Sequence, residues 1–374
     1  MKPSLAKFGL AAAVLPAMLF ASAASLAADL PAVTKKYLQQ LKLSEDILKG
    51  EEQDLAVPKA WTDGALKEGT VKIIGEWSPA EFAILNAPFA ERYPSIKVVS
   101  TQASTMNARA VAPLIAFRQK QYITDIVTGF GGAVVDYKKA DAFEDLKQLP
   151  GFKNQLEGVG DAEGKWAGIK MRYWCMAYNK ATVKPEDLPK TWDDLLTNPI
   201  WANGNLGIGN RPQLWALMLR NAYGKQWIDD YLAKFFGTLK PQFRNEGMEA
   251  VLGMMAAGEV NGILPAAADT VKGLEAKGAP VSWHCPDPVP FLTTQIGILK
   301  GNPHNDAARL WVNWMLSREA QLAQYVAEGS PPAHKDLQIP QLTVYPDKTV
   351  GRHLVQGKEE DLPDMYATWK QYWK

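Results

Sequence analysis

The chain has 374 residues, which is enough for two domains of ordinary size. Its 41 Lys and Arg residues balance 40 Asp and Glu residues, and a formal net charge of +1 excludes the strongly basic surface typical of a nucleic-acid-binding protein. With only two cysteines and four dispersed histidines, the sequence offers no compact set of transition-metal ligands.

The first 27 residues predict a secretory signal peptide. Lys2 and Lys7 precede an apolar run that Pro16 interrupts, and small residues occupy positions 25 and 27, which match the recognition positions of signal peptidase. The run is shorter than the roughly 20 apolar residues that usually span a membrane, which disfavours an uncleaved anchor. We therefore expect residues 1–27 to be removed and the mature protein to be periplasmic.

Residues 28–58 predict an amphipathic helical extension at the start of the mature chain. Tyr37, Leu38 and Leu41 are apolar positions among Lys, Gln and Glu residues, as expected of a helix with one buried face. We expect this extension to pack on the outside of the domain that follows.

After this extension, the sequence predicts several units in which a strand is followed by a helix. Residues 65–74 lead from a helix end into a strand, with Gly69 suited to the left-handed position after the helix. Ser78, which a proline follows, is a good N-cap for the next helix. Further strands are predicted near residues 95–100 and 124–127, with a helix between them. This alternation predicts a mostly parallel α/β sheet with helices on both faces.

The loops at the carboxyl ends of these strands are the expected place for a ligand. They include residues 101–105 and the TGFGG loop at 128–132, which lacks the GxGxxG spacing of a dinucleotide site. The glycines of that loop either expose backbone N–H groups to a ligand or only form the turn. The candidate ligand-binding residues from the first part of the chain are Glu76, Trp77, Ser78, Thr128, Gly129 and Phe130.

The segment from residue 173 to 201 predicts a strand, a rigid loop and a short helix. Bulky residues alternate in the strand, and Pro185 and Pro189 exclude helix from the loop. Thr191 and Asp194 have the spacing of a capping box at the start of the helix.

This segment resembles the entry into the second lobe of extracellular solute-binding proteins of ABC importers, in the group that includes ferric-ion, thiamine, phosphonate and sugar-phosphate binders. The run ALKEGTVKII at 65–74 and the run GILKGNPHNDAARLWVNWMLSREAQ from residue 297 are similar to further segments of that family. The helix of the second run is expected to pack on the first lobe. The resemblance covers residues 65–333.

The resemblance implies a type II periplasmic binding-protein fold, in which two α/β lobes with mostly parallel sheets are joined by hinge strands. The first lobe would comprise residues 59–171 and 287–374, and the second lobe residues 172–286. Residues 172–179 and 281–285 are the expected hinge strands. The implied partners are a small-molecule solute and the membrane permease subunits of an ABC importer. We expect a monomer without cofactor, enzymatic activity or nucleic-acid partner.

Two arginines stand where strands of the second lobe meet helices. Asn210, as an N-cap, would place Arg211 at the mouth of a helix, and Arg244 with Asn245 repeats this arrangement. The alternative for each arginine is an exposed position at a helix start without a ligand. The candidate ligand-binding residues from the crossing strands and the second lobe are Arg172, Trp174, Arg211, Arg244, Asp269 and His284.

The resemblance also bears on the ligand. Ferric-ion members of the family hold the metal with two adjacent tyrosines after the segment that corresponds to residues 258–263, where this chain has Pro265 to Asp269. We therefore predict no metal site. Aromatic walls with guanidinium groups suit a small organic anion such as a carboxylate or a phosphate ester. A sugar and a ferric ion or chelate are the alternatives, and Glu76 or Asp269 would suit hydroxyls or an ammonium group.

Two further expectations concern the cysteines and catalysis. Cys175 and Cys285 lie on the predicted crossing segments, where two buried free thiols are expected and a disulfide is the alternative. A periplasmic hydrolase is the competing class of function, but the sequence has neither a GxSxG nor an HExxH motif.

Overall fold

The computed structural model describes residues 30–373, so the predicted signal peptide at 1–27 lies outside the described residues. The helices of the described range are α1 (Ala32–Leu41), α2 (Glu51–Asp54), α3 (Lys59–Glu68), α4 (Pro79–Arg92), α5 (Ala112–Arg118), α6 (Val134–Lys139), α7 (Asp194–Thr197), α8 (Ala216–Tyr223), α9 (Lys225–Lys234), α10 (Met248–Ala256), α11 (Ala268–Ala276), α12 (Asn305–Met315), α13 (Arg318–Glu328), α14 (Pro346–Thr349) and α15 (Leu362–Trp369). The strands are β1 (Thr70–Gly75), β2 (Lys97–Gln102), β3 (Ile126–Thr128), β4 (Ala167–Asn179), β5 (Leu206–Gly209), β6 (Gln242–Arg244), β7 (Gly262–Ala267), β8 (Val281–His284), β9 (Val289–Ile298) and β10 (Leu354–Val355).

The strands form two parallel groups that long antiparallel strands connect. Their order is β2-β1-β3-β9-β4-β7-β5-β6, with β10 beside β9 and β8 beside β4. Strands β1, β2 and β3 are parallel, as are β5, β6 and β7, whereas β4 pairs with β9 in the antiparallel sense. This is the predicted α/β architecture of two parallel sheets joined by crossing strands.

Strand β4 belongs to both halves of the structure. Its first part, from Ala167 to Tyr173, pairs with β9, and its second part, from Trp174 to Asn179, pairs with β7 and β8. The return crossing differs from the prediction, because β8 pairs only within the second half and the chain returns to the first half in β9. The returning strand β9 begins at Val289.

A separate hydrophobic core lies in each half. Helices α3, α4, α12 and α13 build the first core around Trp77, Trp311 and Trp314, while α8 to α11 surround Trp215 and Trp283 in the second. The predicted packing of the helix at 305–315 on the first lobe is confirmed. Helix α1 also packs against this core from outside, with Tyr37 and Leu38 buried, as expected for the N-terminal extension.

The predicted end of α3 and the predicted start of α4 are confirmed by their hydrogen bonds. Ser78 caps α4 in a full capping box with Glu81, and Gly69 ends α3 in the left-handed conformation. Thr191 and Asp194 exchange bonds in the same way, with Thr191 N–H to Asp194 Oδ2 at 2.8 Å and Asp194 N–H to Thr191 Oγ1 at 3.2 Å. These capping interactions could be predicted from the sequence because each involves residues only a few positions apart.

The C-terminal part of the chain differs from the predicted lobe boundary. Residues 287–374 were expected in the first lobe, but Tyr345, Met365 and Trp369 are buried in the core of the second half. Trp369 packs edge-on against Trp215, with ring centroids 6.0 Å apart. The apolar face of α15 therefore completes the second core.

The expectation of free thiols is wrong. Cys175 on β4 and Cys285 after β8 form a disulfide, with their Cα atoms 5.4 Å apart. The two residues lie close because β8 is the antiparallel neighbour of β4, pairing His284 with Met176. Sequence alone does not supply this strand pairing, on which the required Cα separation depends.

Candidate functional site

Strand ends of the second half meet at a cavity of about 340 Å³, which we call the arginine cavity. Its lining includes Arg172, Trp174, Arg211 and Arg244, four of the predicted ligand-binding residues. They converge because β5 and β6 are parallel neighbours that end side by side, pairing Gly209 with Arg244. The arginine cavity lies at the carboxyl ends of these parallel strands, where α/β sheets usually bind their ligands.

The two asparagines beside these arginines do not cap helices as predicted. Asn210 Nδ2 instead donates to Asn245 Oδ1 at 3.1 Å and links the two loops. A 3₁₀ turn from Pro212 to Leu214 separates Asn210 from α8, and Gly247 occupies the N-cap position of α10. The arginines are therefore held by paired loops and not at helix mouths.

The three arginines of the cavity differ in their partners. Arg172 forms a two-bond ion pair with Asp269, and Arg244 donates to Gln242 Oε1 at 2.6 Å and lies 3.4 Å from Glu259. Arg211 is exposed and has no ion-pair partner within residues 30–373. It is the cation of the cavity that is free to meet an anion.

Trp174 supplies an apolar wall next to these cations. The Arg172 guanidinium carbon lies 5.1 Å from the centroid of its ring, within the range of a cation–π contact. The indole is buried, and its Nε1–H has no acceptor among the described residues. Trp174 lines the arginine cavity.

A second cavity of about 350 Å³, which we call the interlobe cavity, lies between the two halves. Glu76, Arg109 and Gly129 line it from the first half, Trp174 and Leu214 line it from the second, and Arg172 lines it from the part of β4 that joins them. The two cavities therefore share part of their walls. Both lobes contribute to the space between them, as expected for a cleft that encloses a ligand.

Arg109 organises the first-lobe wall of the interlobe cavity. Its Nη2 lies 2.9 Å from Glu76 Oε1, and its Nε and Nη1 donate to the carbonyls of Gly129 and Ala103. Gly129 has a φ of +57°, and a Cβ there would approach Arg109 Nε to 3.0 Å. The glycine is thus required by both the turn and the close approach of the arginine.

The C-terminal segment supplies a carboxyl group to the same cavity. Gln295 Oε1 accepts from Gly131 N–H at 3.2 Å, and Gln295 Nε2 donates to Glu359 Oε1 at 2.9 Å. Burial, followed by the charge of neighbouring Glu360, raises the pKa of Glu359 to about 7. The other oxygen, Glu359 Oε2, is buried and accepts no hydrogen bond in the described structure.

The structure places two predicted aromatic residues in the core. Trp77 packs against Phe82 and Trp311 and donates from Nε1 to Gln324 Oε1 at 3.1 Å. Phe130 is fully buried beside Tyr137 and Phe143. Neither ring lines a cavity, because the apolar side chain of each loop turns inward to fill the first lobe.

Three predicted polar residues also have structural partners outside the two cavity linings. Ser78 caps α4, and buried Thr128 lies with Oγ1 3.3 Å from the carbonyl oxygen of Ile74. His284 Nε2 lies 2.7 Å from the carbonyl oxygen of Pro189, and burial lowers the pKa of its imidazole. These side chains do not meet the arginines. Asp269 reaches the arginine cavity only through its pair with Arg172.

Sequence reasoning missed Arg109, Gln295 and Glu359. Arg109 follows the predicted loop at 101–105 by four residues, so a helix starting there would have placed it one turn beyond the loop. No local signal identified Glu359, because its place in the cleft depends on how α15 docks on the second half. Sheet register brings Gln295 to the cleft through β9.

The sequence model of a family described as bacterial extracellular solute-binding proteins matches residues 122–349. No curated protein matches the sequence. Within residues 30–373, no helix combines the length and hydropathy needed to cross a membrane.

Solved structures with the same fold include three from different bacteria. Iron-bound HitA from Pseudomonas aeruginosa is 18% identical, with a TM-score of 0.62 over 81% of this chain and 99% of that one. A putative extracellular solute-binding protein from Bordetella parapertussis is 14% identical, with a TM-score of 0.68 over 82% of this chain and 99% of that one. FutA (IdiA) from Trichodesmium, in complex with iron and citrate, is 16% identical, with a TM-score of 0.67 over 82% of this chain and 100% of that one.

Proposed function

The chain belongs to the family of bacterial extracellular solute-binding proteins, and we propose that it captures a small organic anion between its lobes for delivery to an ABC importer. The family resemblance and the type II binding-protein fold predicted from the sequence are confirmed. The chain is accordingly a binding protein and not an enzyme. The chemical class of the solute is our proposal.

The free guanidinium of Arg211 in the arginine cavity carries this proposal. Arg211 faces a cavity that it shares with Arg172 and Arg244, yet no carboxylate of the described chain neutralises it. A guanidinium binds a carboxylate or a phosphate with two parallel hydrogen bonds, and a partly enclosed cavity strengthens such bonds. Cavities of about 340 and 350 Å³ fit a small metabolite.

Closure of the lobes around the solute is part of the proposal. Glu76 and Gly129 approach the interlobe cavity from residues 59–171, and Arg172 and Trp174 approach it from residues 172–286. A solute that contacts both walls binds the closed form more tightly, which shifts the population toward that form. We propose that the permease of a periplasmic importer recognises the closed form of a monomer.

A thermal-shift screen tests the solute class. We expect organic carboxylates or phosphate esters to raise the melting temperature, while neutral sugars leave it unchanged. Binding of the best anion should fall at least about tenfold in Arg211→Ala. Arg118→Ala is the matched control, since Arg118 is exposed on α5 and lines neither cavity. Stabilisation by sugars alone would contradict the proposal.

A ferric chelate is the second candidate, favoured by the similarity in fold to iron-bound HitA and to FutA in complex with iron and citrate. The linings of the two cavities contain no Tyr, His or Cys, and no group of three His, Cys, Asp or Glu suited to a metal occurs among residues 30–373. A metal would therefore enter as an anionic chelate. Ferric citrate and free citrate in the same screen separate the two candidates.

A further inference from the structure

Four carboxyl groups stand at or beside the cleft, and one of them, Glu246, lies 3.5 Å from Arg244. Glu76 pairs with Arg109, and Asp269 pairs with Arg172. Glu359 has no cationic partner within 4.0 Å among residues 30–373. The carboxyl groups that sequence analysis offered for an ammonium group are thus already neutralised by arginines, whereas the one it missed is not.

The docking of the C-terminal segment fixes Glu359 in this position. Arg220 on α8 pairs with Asp361 at 3.1 Å and with Asp364 at 2.6 Å. Tyr366 donates from its hydroxyl to Gln213 Oε1 at 2.9 Å. Together with the packing of α15 on the second core, these contacts hold the start of α15 beside the interlobe cavity.

The surroundings of Glu359 leave one carboxyl oxygen without a partner. Gln295 occupies Oε1, and Oε2 lies near Gly132, where a Cβ would be 3.9 Å away. Of the nearby charges, Glu360 opposes ionisation of Glu359, and Lys138 favours it from a distance without an ion pair. A buried polar atom without a partner is costly, and Glu359 lines the interlobe cavity, so its unpaired oxygen indicates a group that arrives from elsewhere.

We propose that Glu359 binds an ammonium group of the solute, so that the cleft selects solutes with an acidic group at one end and an amine at the other. This inference rests on the proposed function, because Arg211 and its neighbours are needed for the acidic end. Arg172 and Trp174 line both cavities, which makes the two ends of the solute site adjacent. The C-terminal segment is then part of the ligand site.

An ammonium group fits this place better than a hydroxyl group does. A carboxylate removed from water is stabilised most by a cation that also donates a hydrogen bond. The amine would favour the ionised form of Glu359, so its contribution should increase as the pH rises through about 7. A hydroxyl group would bind either protonation state and show no such dependence.

Calorimetry with matched probe pairs tests the proposal. The probes are ω-amino acids and ω-aminoalkyl phosphates with two to five carbons, each compared at pH 8 with its amine-free counterpart. We expect at least one amine to bind about tenfold more tightly than its counterpart. Glu359→Gln should remove this advantage. Glu360→Gln, at an exposed neighbouring carboxyl, is the matched control.

The outcomes separate this inference from the proposed function. Equal binding of the paired probes, or an amine advantage that persists in Glu359→Gln, would overturn the role of Glu359 while leaving the anion site intact. Hydroxyl-bearing probes that gain as much as the amines would overturn the choice of ammonium. If no acid of either series binds, the proposed function fails and this inference fails with it.

Discussion

Arg172 and Asp269 form a two-bond ion pair beside the arginine cavity, with Nε to Oδ1 at 2.8 Å and Nη2 to Oδ2 at 2.7 Å. Their side chains are 48% and 41% exposed, so the pair contributes little to the stability of the fold. Its main effect is on the cavity, because Asp269 offsets the charge of one of the three arginines and fixes its orientation.

Asp269→Asn should therefore tighten anion binding severalfold. The substitution removes a carboxylate that competes with the solute for Arg172, while the amide still accepts one hydrogen bond. Titration calorimetry with the best anion of the screen measures the effect. We expect the free energy of unfolding to change by less than about 1 kcal/mol. Weaker binding in the variant would mean that positioning of Arg172 matters more than its free charge.

The arginines of the cavity should differ in their effect on stability. Arg211→Ala should leave the melting temperature unchanged, because Arg211 is exposed and has no ion-pair partner in the described chain. Arg244→Ala should weaken anion binding to a similar extent. It should also lower the free energy of unfolding by about 1 kcal/mol, because it removes the hydrogen bond to Gln242. Denaturant unfolding compares both variants with the parent protein. Normal binding by both would refute the location of the anion site.

The disulfide between Cys175 and Cys285 should stabilise the second lobe. It closes a loop with a sequence separation of 110 residues, and removing such a bridge costs about 2–4 kcal/mol. Urea unfolding of the parent protein and of a Cys175→Ala, Cys285→Ala double variant measures the difference. Two free thiols, found by titration of the unfolded but unreduced protein, would contradict the bridge.

Glu51 should make the protein less stable at alkaline pH. Burial and the nearby charge of Glu319 raise its pKa from 4.5 to about 8, so the folded state retains a proton that the unfolded state has released. The contribution of Glu51 to the stability of the protein is therefore most favourable below about pH 4.5, and it becomes less favourable as the pH rises toward 8. The free energy of unfolding of Glu51→Gln should exceed that of the parent by at least about 1 kcal/mol at pH 8 and match it at pH 4.5.

A matched control distinguishes this effect from a general change of charge. Glu52→Gln removes an exposed neighbouring carboxylate and should leave the dependence of stability on pH unchanged. If both variants behave alike, the buried position of Glu51 is not the cause. If neither differs from the parent at pH 8, the carboxyl of Glu51 does not retain its proton in the folded protein.

The sequence predicted the parts of this protein that depend on short stretches of chain. The capping boxes at Ser78 and Thr191 and the left-handed Gly69 each involve residues within one helical turn. The alternation of strands and helices predicted the parallel sheets.

Packing of the surrounding elements decided whether an aromatic side chain near the cleft lines a cavity or fills the core. Trp77 and Trp174 both follow or lie on strands beside the cleft, but Trp77 fills the first core and Trp174 lines the arginine cavity. Both are large apolar side chains that suit either role, so their sequence context does not distinguish them. The surrounding helices decide the choice.

The amino-acid sequence by itself determined the family and the fold class, because local sequence patterns, helix caps and strand ends each depend on adjacent residues. Only the tertiary structure decided how charges and thiols are paired. Arg172 meets Asp269 across 97 residues, Gln295 meets Glu359 across 64, and the bridged cysteines are 110 apart. Such contacts depend on sheet register and on where α15 docks, which arise only when the whole chain packs.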